Sequence, residues 1–311
     1  MSTYRILVLR ALGLGDLLTA VPALRALRRA HRSAHITLAG PVALAALLPA
    51  GLVDEVRDAR SLAPLDADLA GADLAVNLHG RGPQSTTVLD DIRPHRLLAF
   101  GRTSTWRADE HEVHRWCRLL SESGFPADPC QLDLDVPDDP PLARGALLVH
   151  PGAAQLSRRW PVERWAQVAR RLQGSGRVLV TGSTQERPLA RQVVAAAGLP
   201  SAACVAGATD VRGLAALIGC ARLLVSADTG VAHLATALRT PSVVLFGPTS
   251  PQLWGPPPER MQHQVLWAGR AGDNFAGRVD PGLLELTVDQ VVDSVDALLS
   301  HPARIPEPMP R

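Results

Sequence analysis

Short apolar runs alternate with segments of helical periodicity along this chain, and that alternation restricts the fold more than any other feature of the sequence. In the first half, such runs predict buried strands at residues 6–9, 36–39, 73–78 and 97–100. After a turn at residues 13–15, a helical pattern runs to about residue 29, and a second helical pattern covers 110–122. Pro22 inside the first pattern predicts either a kink or a helix that restarts there. This order predicts a parallel sheet with helices on its faces.

The second half repeats the alternation after a proline-rich interruption. Residues 136–141 read Val-Pro-Asp-Asp-Pro-Pro, which cannot form a helix or a central strand. Beyond them, strands are predicted at 146–150, 177–181, 223–226 and 242–246, and helices at 162–172, 185–197, 230–238 and 288–299. We therefore predict two α/β domains, residues 1–140 and 141–311, with the last helix free to pack back on the first domain. The proline-rich tail from His301 is expected to fray.

Ligands of parallel α/β sheets bind beyond the carboxyl ends of the strands, so the loops there are the candidate sites. The first contains Gly13, Gly15 and Asp16. A dinucleotide fingerprint would need a third glycine where Leu18 stands and an acid where Gly40 stands, so NAD binding is disfavoured. What remains is a glycine turn that brings the Asp16 carboxylate to a helix start. Asp16 is then either a simple N-cap or a functional carboxylate, and the two roles are compatible.

Two further loops have the composition of anion sites. Gly152 and Arg158 lie between a strand end and a helix start, where backbone N–H groups and a guanidinium can bind phosphate; a solvated arginine is the alternative. Gly182 allows close backbone approach in the next loop. Glu186 there can accept a hydrogen bond from a ribose or base, or merely sit in the first helical turn.

The fourth loop combines several polar groups at one helix start. Asp228 or Thr229 can cap the helix that begins at Gly230, and His233 lies one turn inside it. If these groups converge, they suit a sugar diphosphate. Because a carboxylate repels phosphate, we assign Asp228 to the sugar hydroxyls.

Composition excludes several other classes. The sequence contains no lysine, so neither Schiff-base chemistry nor a P-loop lysine is available. A formal net charge of +2 does not indicate a nucleic-acid partner. The cysteines and histidines lack zinc-site spacing, and no metal site is predicted. The four cysteines, which are typical of reduced packing residues, and the absence of a membrane-length apolar run predict a cytoplasmic protein.

In the motifs of these loops, the chain resembles glycosyltransferase family 9, the ADP-heptose:lipopolysaccharide heptosyltransferase family. The resemblance runs over nearly the whole length. It rests on LRALGLGDLLTAVPAL at 9–24, DLAVNLHG at 73–80, HPG at 150–152 with RRWP at 158–161, TG at 181–182, SADTGVAHLA at 226–235 and FGPT at 246–249.

The resemblance implies a GT-B fold, in which two Rossmann-like domains with parallel sheets face each other across a cleft. It implies inversion at the anomeric carbon, no required metal or other cofactor, and Asp16 as the general base. An acceptor-binding N-terminal domain and a nucleotide-sugar-binding C-terminal domain are expected. Arg158 stands where the family often has a lysine near the donor phosphates. The donor-binding residues would be Gly15, Gly152, Arg158, Gly182, Glu186, Asp228, Thr229, Gly230 and His233.

The predicted function is transfer of a heptose from ADP-heptose to a glycan or glycolipid acceptor such as a lipopolysaccharide core. Arg81 and Arg102 are the predicted acceptor residues, with an ordinary arginine-rich surface as the alternative. The location would be the cytoplasm, with peripheral contact at the inner face of the membrane left open. A non-catalytic or epimerase-type nucleotide-sugar-binding protein of the same fold is the main alternative, and a Rossmann oxidoreductase is a more distant one.

Overall fold

The computed structural model describes residues 3–300, so the predicted fraying of the tail from His301 lies outside the described residues. The chain divides into two compact units, Met1–Leu134 and Asp135–Arg311. The boundary predicted from the sequence, after residue 140, lies in the same connecting segment, between the last helix of one unit and the first strand of the next.

The first unit contains one parallel sheet with helices packed on it. Its strands are β1 (Arg5–Leu9), β2 (His35–Gly40), β3 (Glu55–Asp58), β4 (Leu74–Asn77) and β5 (Leu97–Leu98). Its helices are α1 (Leu14–Ala30), α2 (Val42–Ala45), α3 (Gln84–Asp91) and α4 (Glu112–Glu122). Of the two alternatives predicted at Pro22, the restart is wrong, because α1 is one helix with Pro22 buried inside it.

The second unit repeats this architecture. Its strands are β6 (Leu147–His150), β7 (Val178–Val180), β8 (Leu223–Ala227), β9 (Ser242–Phe246) and β10 (His263–Trp267). Its helices are α5 (Val162–Leu172), α6 (Arg187–Ala197), α7 (Val211–Gly219), α8 (Gly230–Ala237), α9 (Pro251–Trp254), α10 (Pro281–Glu285) and α11 (Val288–Ser300). Helix α11 packs on α5 and β9 of this same unit.

Both sheets follow a mononucleotide-binding strand order. The first is β3-β2-β1-β4-β5, and the second is β10-β9-β8-β6-β7. Strand β7 also pairs through a single parallel bridge, Val180 to Cys204, which extends the second sheet beyond β7. In each sheet the order reverses beside its first strand, between β1 and β4 and between β6 and β8. Such a reversal leaves a crevice at the carboxyl edge where ligands bind.

Burial explains why these elements form. Strands β1, β4, β6 and β8 are apolar on both faces and buried almost throughout, as central parallel strands require. In the first unit, β1 pairs in register with β2 on one side and β4 on the other, with Ile6 opposite Ile36 and Leu74. The predicted α/β class, with two parallel sheets in separate units, is confirmed.

Candidate functional site

Asp16 lies at the carboxyl edge of the first sheet, beside the reversal between β1 and β4. The N-cap of α1 is Gly13, so the interpretation of Asp16 as the N-cap is wrong: it is the third residue of the helix. Its Oδ2 accepts a hydrogen bond from the Gly13 N–H at 3.2 Å, and its side chain is 29% exposed. Gly15 lies within the first helical turn rather than in the preceding turn. The carboxylate is therefore tethered yet open to solvent.

A buried arginine that the sequence analysis did not identify, Arg10, contacts both the main chain and the carboxylate of Asp16. Arg10 is 1% exposed, and its Nε donates to the Asp16 carbonyl oxygen at 2.8 Å. Its Nη2 lies 3.6 Å from Asp16 Oδ1, donates to Thr19 Oγ1 at 3.1 Å and pairs with Glu112 Oε1 at 3.2 Å. Its Nη1 donates to the Leu78 carbonyl oxygen. One guanidinium thus fixes the residues around the predicted base.

His79, just beyond β4, belongs to the same neighbourhood. Burial and the charge of Arg10 hold the pKa of His79 below its ordinary value, and the charge of Asp16 opposes them. The backbone N–H of His79 donates to Asn77 Oδ1 at 3.0 Å. Its ring Nδ1 is buried without a hydrogen-bond partner among residues 3–300. The cluster thus contains an imidazole with a lowered pKa and a buried ring nitrogen that lacks a partner among the described residues.

The two arginines predicted to bind the acceptor line one cavity. It has a volume of about 620 Å³, and Arg81, Arg102, Thr86, Asp90 and Trp106 contribute to its wall. Arg102 is paired with Asp90 at 2.6 Å, whereas Arg81 forms no ion pair with any other described residue. The cavity lies beyond the carboxyl ends of β4 and β5, on the same edge of the sheet as Asp16. It combines an unpaired cation, hydroxyl groups and an aromatic ring.

In the second unit, the structure brings Arg158 and Asp228 into direct contact. Arg158 ends a 3₁₀ turn, Leu156–Arg158, after β6, and Asp228 follows β8, so they meet at the reversal of the second sheet. Arg158 Nη1 lies 3.5 Å from Asp228 Oδ2 and donates to the Asp228 carbonyl oxygen at 3.1 Å. Its Nε–H is buried without an acceptor among the described residues. Burial raises the pKa of Asp228 above its ordinary value, against opposing effects of Arg158 and Thr249.

The start of α8 completes this side of the site. Thr229 is its N-cap, and its Oγ1 accepts a hydrogen bond from the Val231 N–H at 3.2 Å. The N–H groups of Ala232 and His233 donate to the Thr229 carbonyl oxygen, at 3.0 and 3.5 Å, which leaves the N–H of Gly230, the first helical residue, without an acceptor among the described residues. The His233 ring forms a T-shaped contact with Trp254 of α9, with the ring centroids 5.8 Å apart. The four residues predicted to bind donor here thus share one helix start.

The side chain of Glu186 lies against both remaining predicted glycines, Gly152 and Gly182. A Cβ added to Gly152 would lie 2.1 Å from Glu186 Oε1, and one added to Gly182 would lie 3.2 Å from Glu186 Cβ. Glu186 is the N-cap residue of α6, not a residue of its first turn. Desolvation would raise the pKa of Glu186, but hydrogen bonds from Ser183 and the charge of neighbouring His150 outweigh it, so the pKa lies below its ordinary value. This carboxylate therefore lies ionised beside the Gly152 backbone.

Buried His150 was not predicted as a site residue, although it is the first residue of the HPG motif. Its Nδ1 lies 2.9 Å from Thr181 Oγ1, and burial lowers its pKa against the opposing charge of Glu186. A polar residue ending an otherwise apolar strand is the signal that could have revealed it. Arg10, at the end of β1, carries the same signal.

Within residues 3–300, no group of three or more His, Cys, Asp or Glu side chains could hold a metal ion. No helix in that range combines the length and apolarity needed to cross a membrane.

Comparison with protein families gives a match to the family described as Glycosyltransferase family 9 (heptosyltransferase), over residues 80–275. Lipopolysaccharide heptosyltransferase 2 of Salmonella typhimurium is 30% identical over 153 residues, which cover 47% of this chain and 44% of that protein. Lipopolysaccharide heptosyltransferase 1 of Pseudomonas aeruginosa is 34% identical over 154 residues, with 47% and 42% covered. The matched stretch thus spans less than half the length of each relative.

Among solved structures, the Escherichia coli ADP-heptose lipopolysaccharide heptosyltransferase II is similar over almost the whole chain. The TM-score is 0.77 at 20% identity, with 96% of this chain and 99% of that chain covered. At this identity the likeness concerns the fold alone. It is the GT-B fold, as the sequence resemblance implied.

Proposed function

The chain belongs to glycosyltransferase family 9, and from that membership we propose that it is an inverting glycosyltransferase. Its donor would be ADP-heptose, and its acceptor a glycan or glycolipid such as a lipopolysaccharide core. The observation that carries this proposal is the Arg158–Asp228 pair at the start of α8. There a buried guanidinium N–H has no acceptor among the described residues, at an edge of the sheet suited to a diphosphate.

The second unit would bind the donor. Arg158 supplies positive charge and hydrogen-bond donors for the diphosphate, and the start of α8 adds the Gly230 N–H. Asp228, directly beside Arg158, would accept hydrogen bonds from the sugar hydroxyls. Glu186 follows the second strand of this sheet, where an acid in a mononucleotide-binding fold accepts a hydrogen bond from the ribose. The names of the relatives support a heptose attached to ADP.

The first unit would supply the base. As the acceptor oxygen attacks the anomeric carbon, its proton passes to the Asp16 carboxylate. The bond from that carbon to the diphosphate oxygen breaks, ADP leaves, and the configuration inverts. Arg158 and the α8 N-terminus, rather than a metal ion, neutralise the charge that develops on the leaving group.

The acceptor would occupy the cavity of Arg81, Arg102 and Trp106. Its unpaired Arg81 favours an anionic group, and its hydroxyls and tryptophan suit a sugar. A glycolipid acceptor would require the protein to work in the cytoplasm at the inner face of the membrane.

Transfer from ADP-heptose to a de-acylated lipopolysaccharide core, followed by mass spectrometry, tests the proposal. Asp16→Asn keeps the size of the side chain and its bond to Gly13. We expect it to retain ADP binding by calorimetry and to lose transfer by about a hundredfold or more, the scale of general base catalysis. Asp54→Asn is the matched control, because Asp54 lies at the opposite edge of the same sheet, paired with Arg28.

Equal transfer by Asp16→Asn would remove Asp16 from the role of base. Turnover of the donor without any acceptor would favour the epimerase alternative. A thermal-shift screen with ADP-, UDP-, GDP- and dTDP-sugars and NAD separates the donor classes and the oxidoreductase alternative.

A further inference from the structure

The buried side chain of Arg10 joins four separate elements at the carboxyl edge of the first sheet. Arg10 follows β1, and its guanidinium reaches the first turn of α1 at Asp16, the end of β4 at Leu78 and the start of α4 at Glu112. Its own backbone is held closely, since a Cβ at Gly40 would lie 2.8 Å from the Arg10 carbonyl oxygen. Few other side chains could make these contacts, because they require the planar fork of a guanidinium.

Charge balance within this cluster involves Asp16. Glu112 is 4% exposed, and its two oxygens serve Arg10 and Arg115, with Trp116 Nε1 donating to Oε1 at 2.9 Å. Arg115 is 5% exposed. Two buried guanidinium groups therefore share one buried carboxylate, and Asp16, 3.6 Å from Arg10, supplies the second negative charge.

The same cluster extends to the proposed acceptor cavity. The Arg115 guanidinium carbon lies 4.1 Å from the ring centroid of Trp106, which forms part of the cavity wall. Arg115 Nη2 also donates to the carbonyl oxygens of Arg107 and Glu110, at 3.0 and 2.7 Å. A continuous series of contacts thus leads from Trp106 through Arg115 and Glu112 to Arg10 and Asp16.

We propose that Arg10 is a positioning residue for Asp16 and that Glu112 is the buried counterion that holds Arg10 in place. This inference rests on the proposed role of Asp16 as base. Arg10 fixes the main chain of Asp16 through its carbonyl oxygen, which Thr19 Oγ1 also contacts at 2.9 Å. Without this support, only the 3.2 Å bond from Gly13 would orient a carboxylate that is partly exposed. Small errors in the placement of a base reduce the rate of reaction strongly.

Glu112→Gln tests the proposal, because the amide keeps the size of the side chain and removes its charge. We expect the kcat for transfer from ADP-heptose to fall about tenfold or more, while the Kd for ADP, measured by calorimetry, stays within about twofold. Asp54→Asn again serves as the control, since it removes one carboxylate from an ion pair at the opposite edge of the sheet. It should leave kcat unchanged.

A double-mutant cycle separates positioning from a purely structural role. If Glu112 acts through Asp16, then Glu112→Gln causes no further loss of transfer in an Asp16→Asn background. Additive losses would overturn the proposal, as would an unchanged kcat in the single variant. Should Glu112→Gln not fold, Arg10→Lys replaces it, because lysine keeps the charge but cannot bond to Asp16, Leu78 and Glu112 together.

Hydrogen exchange provides a readout that does not depend on activity. In Glu112→Gln, the amides of residues 17–19, the first with acceptors in this turn of α1, should exchange faster than in the wild type, and in Asp54→Asn they should not. Equal protection would overturn the role of Glu112. A wild-type protein that transfers no sugar would refute the proposed function. Hydrogen exchange would then be the measurement that still tests whether Arg10 positions Asp16.

Discussion

Gly152→Ala is a sharp test of the donor site, because the added methyl group collides with the side chain of Glu186. The three atoms nearest to its Cβ belong to the Glu186 carboxyl group, at 2.1, 2.4 and 2.9 Å. That group is the end of a flexible side chain, so it can move away without rearranging the backbone. The substitution therefore removes the Glu186 carboxylate from its present position while leaving the residue itself unchanged.

The loss of stability follows from the hydrogen bond that breaks when the carboxylate moves away. Glu186 Oε2 accepts a hydrogen bond from the Ser183 N–H at 2.8 Å. A hydrogen bond to a charged group contributes about 1.5–3 kcal/mol. For a domain of this size, 1 kcal/mol corresponds to about 2–4 °C in Tm, so Gly152→Ala should lower Tm by roughly 3–12 °C. If Glu186 also accepts a bond from the ribose, loss of a similar amount weakens ADP binding roughly ten- to a hundredfold.

Calorimetry with ADP and thermal unfolding measure both effects. Gly174→Ala is the matched control, because a Cβ at Gly174 would meet no atom within 4 Å. Glu186→Ala should reproduce the loss of ADP affinity. Adding Gly152→Ala to Glu186→Ala should then have no further effect, since the atoms that clash are gone. Wild-type ADP affinity in Gly152→Ala, together with a large loss in Glu186→Ala, would refute the inferred displacement.

Three further predictions concern other residues. Arg158→Lys should weaken ADP binding and Arg158→Ala should weaken it more, roughly ten- to a hundredfold, because a charged hydrogen-bond donor is lost; unchanged affinity by calorimetry would contradict the phosphate contact. Arg81→Ala should raise the KM for an anionic acceptor about tenfold and leave ADP affinity unchanged; a rise that is equal for a neutral acceptor would argue against charge recognition. Burial, aided by Arg260, lowers the pKa of His263 from 6.5 to about 4. The unfolded chain therefore takes up a proton near pH 6.5 while the folded chain does not, so stability should fall by about 3 kcal/mol between pH 6.5 and 4. Urea unfolding of His263→Gln should show a weaker dependence on pH in that interval, and parallel curves would refute it.

Much of the fold could be predicted because its central strands are buried on both faces. The strand predicted at 242–246 and the helix at 162–172 coincide with β9 and α5, since an apolar run or a helical stripe marks each of them. Strands β3 and β10 were missed. Their residues are mostly only half-buried, and β3 reads Glu-Val-Arg-Asp, so neither gives the apolar signal of a central strand.

In the candidate site, only contacts between residues that are close in the sequence could be predicted. Thr229 and Gly230 stand next to Asp228 in sequence, so their meeting at one helix start follows from the strand and helix boundaries alone. The contacts of Arg10 with Glu112 and of Arg158 with Asp228 join residues far apart in the sequence. No periodicity encodes such pairs, because they depend on strand order and on how each helix packs.

The position of the predicted site residues at one edge of each sheet has a practical consequence for spectroscopy. The predicted site residues follow strands, so the turns that precede strands can carry dyes without touching the chemistry. Exposed Ser33, before β2, and exposed Gln173, before β7, are such places, one in each unit. Fluorophores attached there would report by energy transfer whether ADP changes the distance between the units, while every predicted site residue keeps its native side chain.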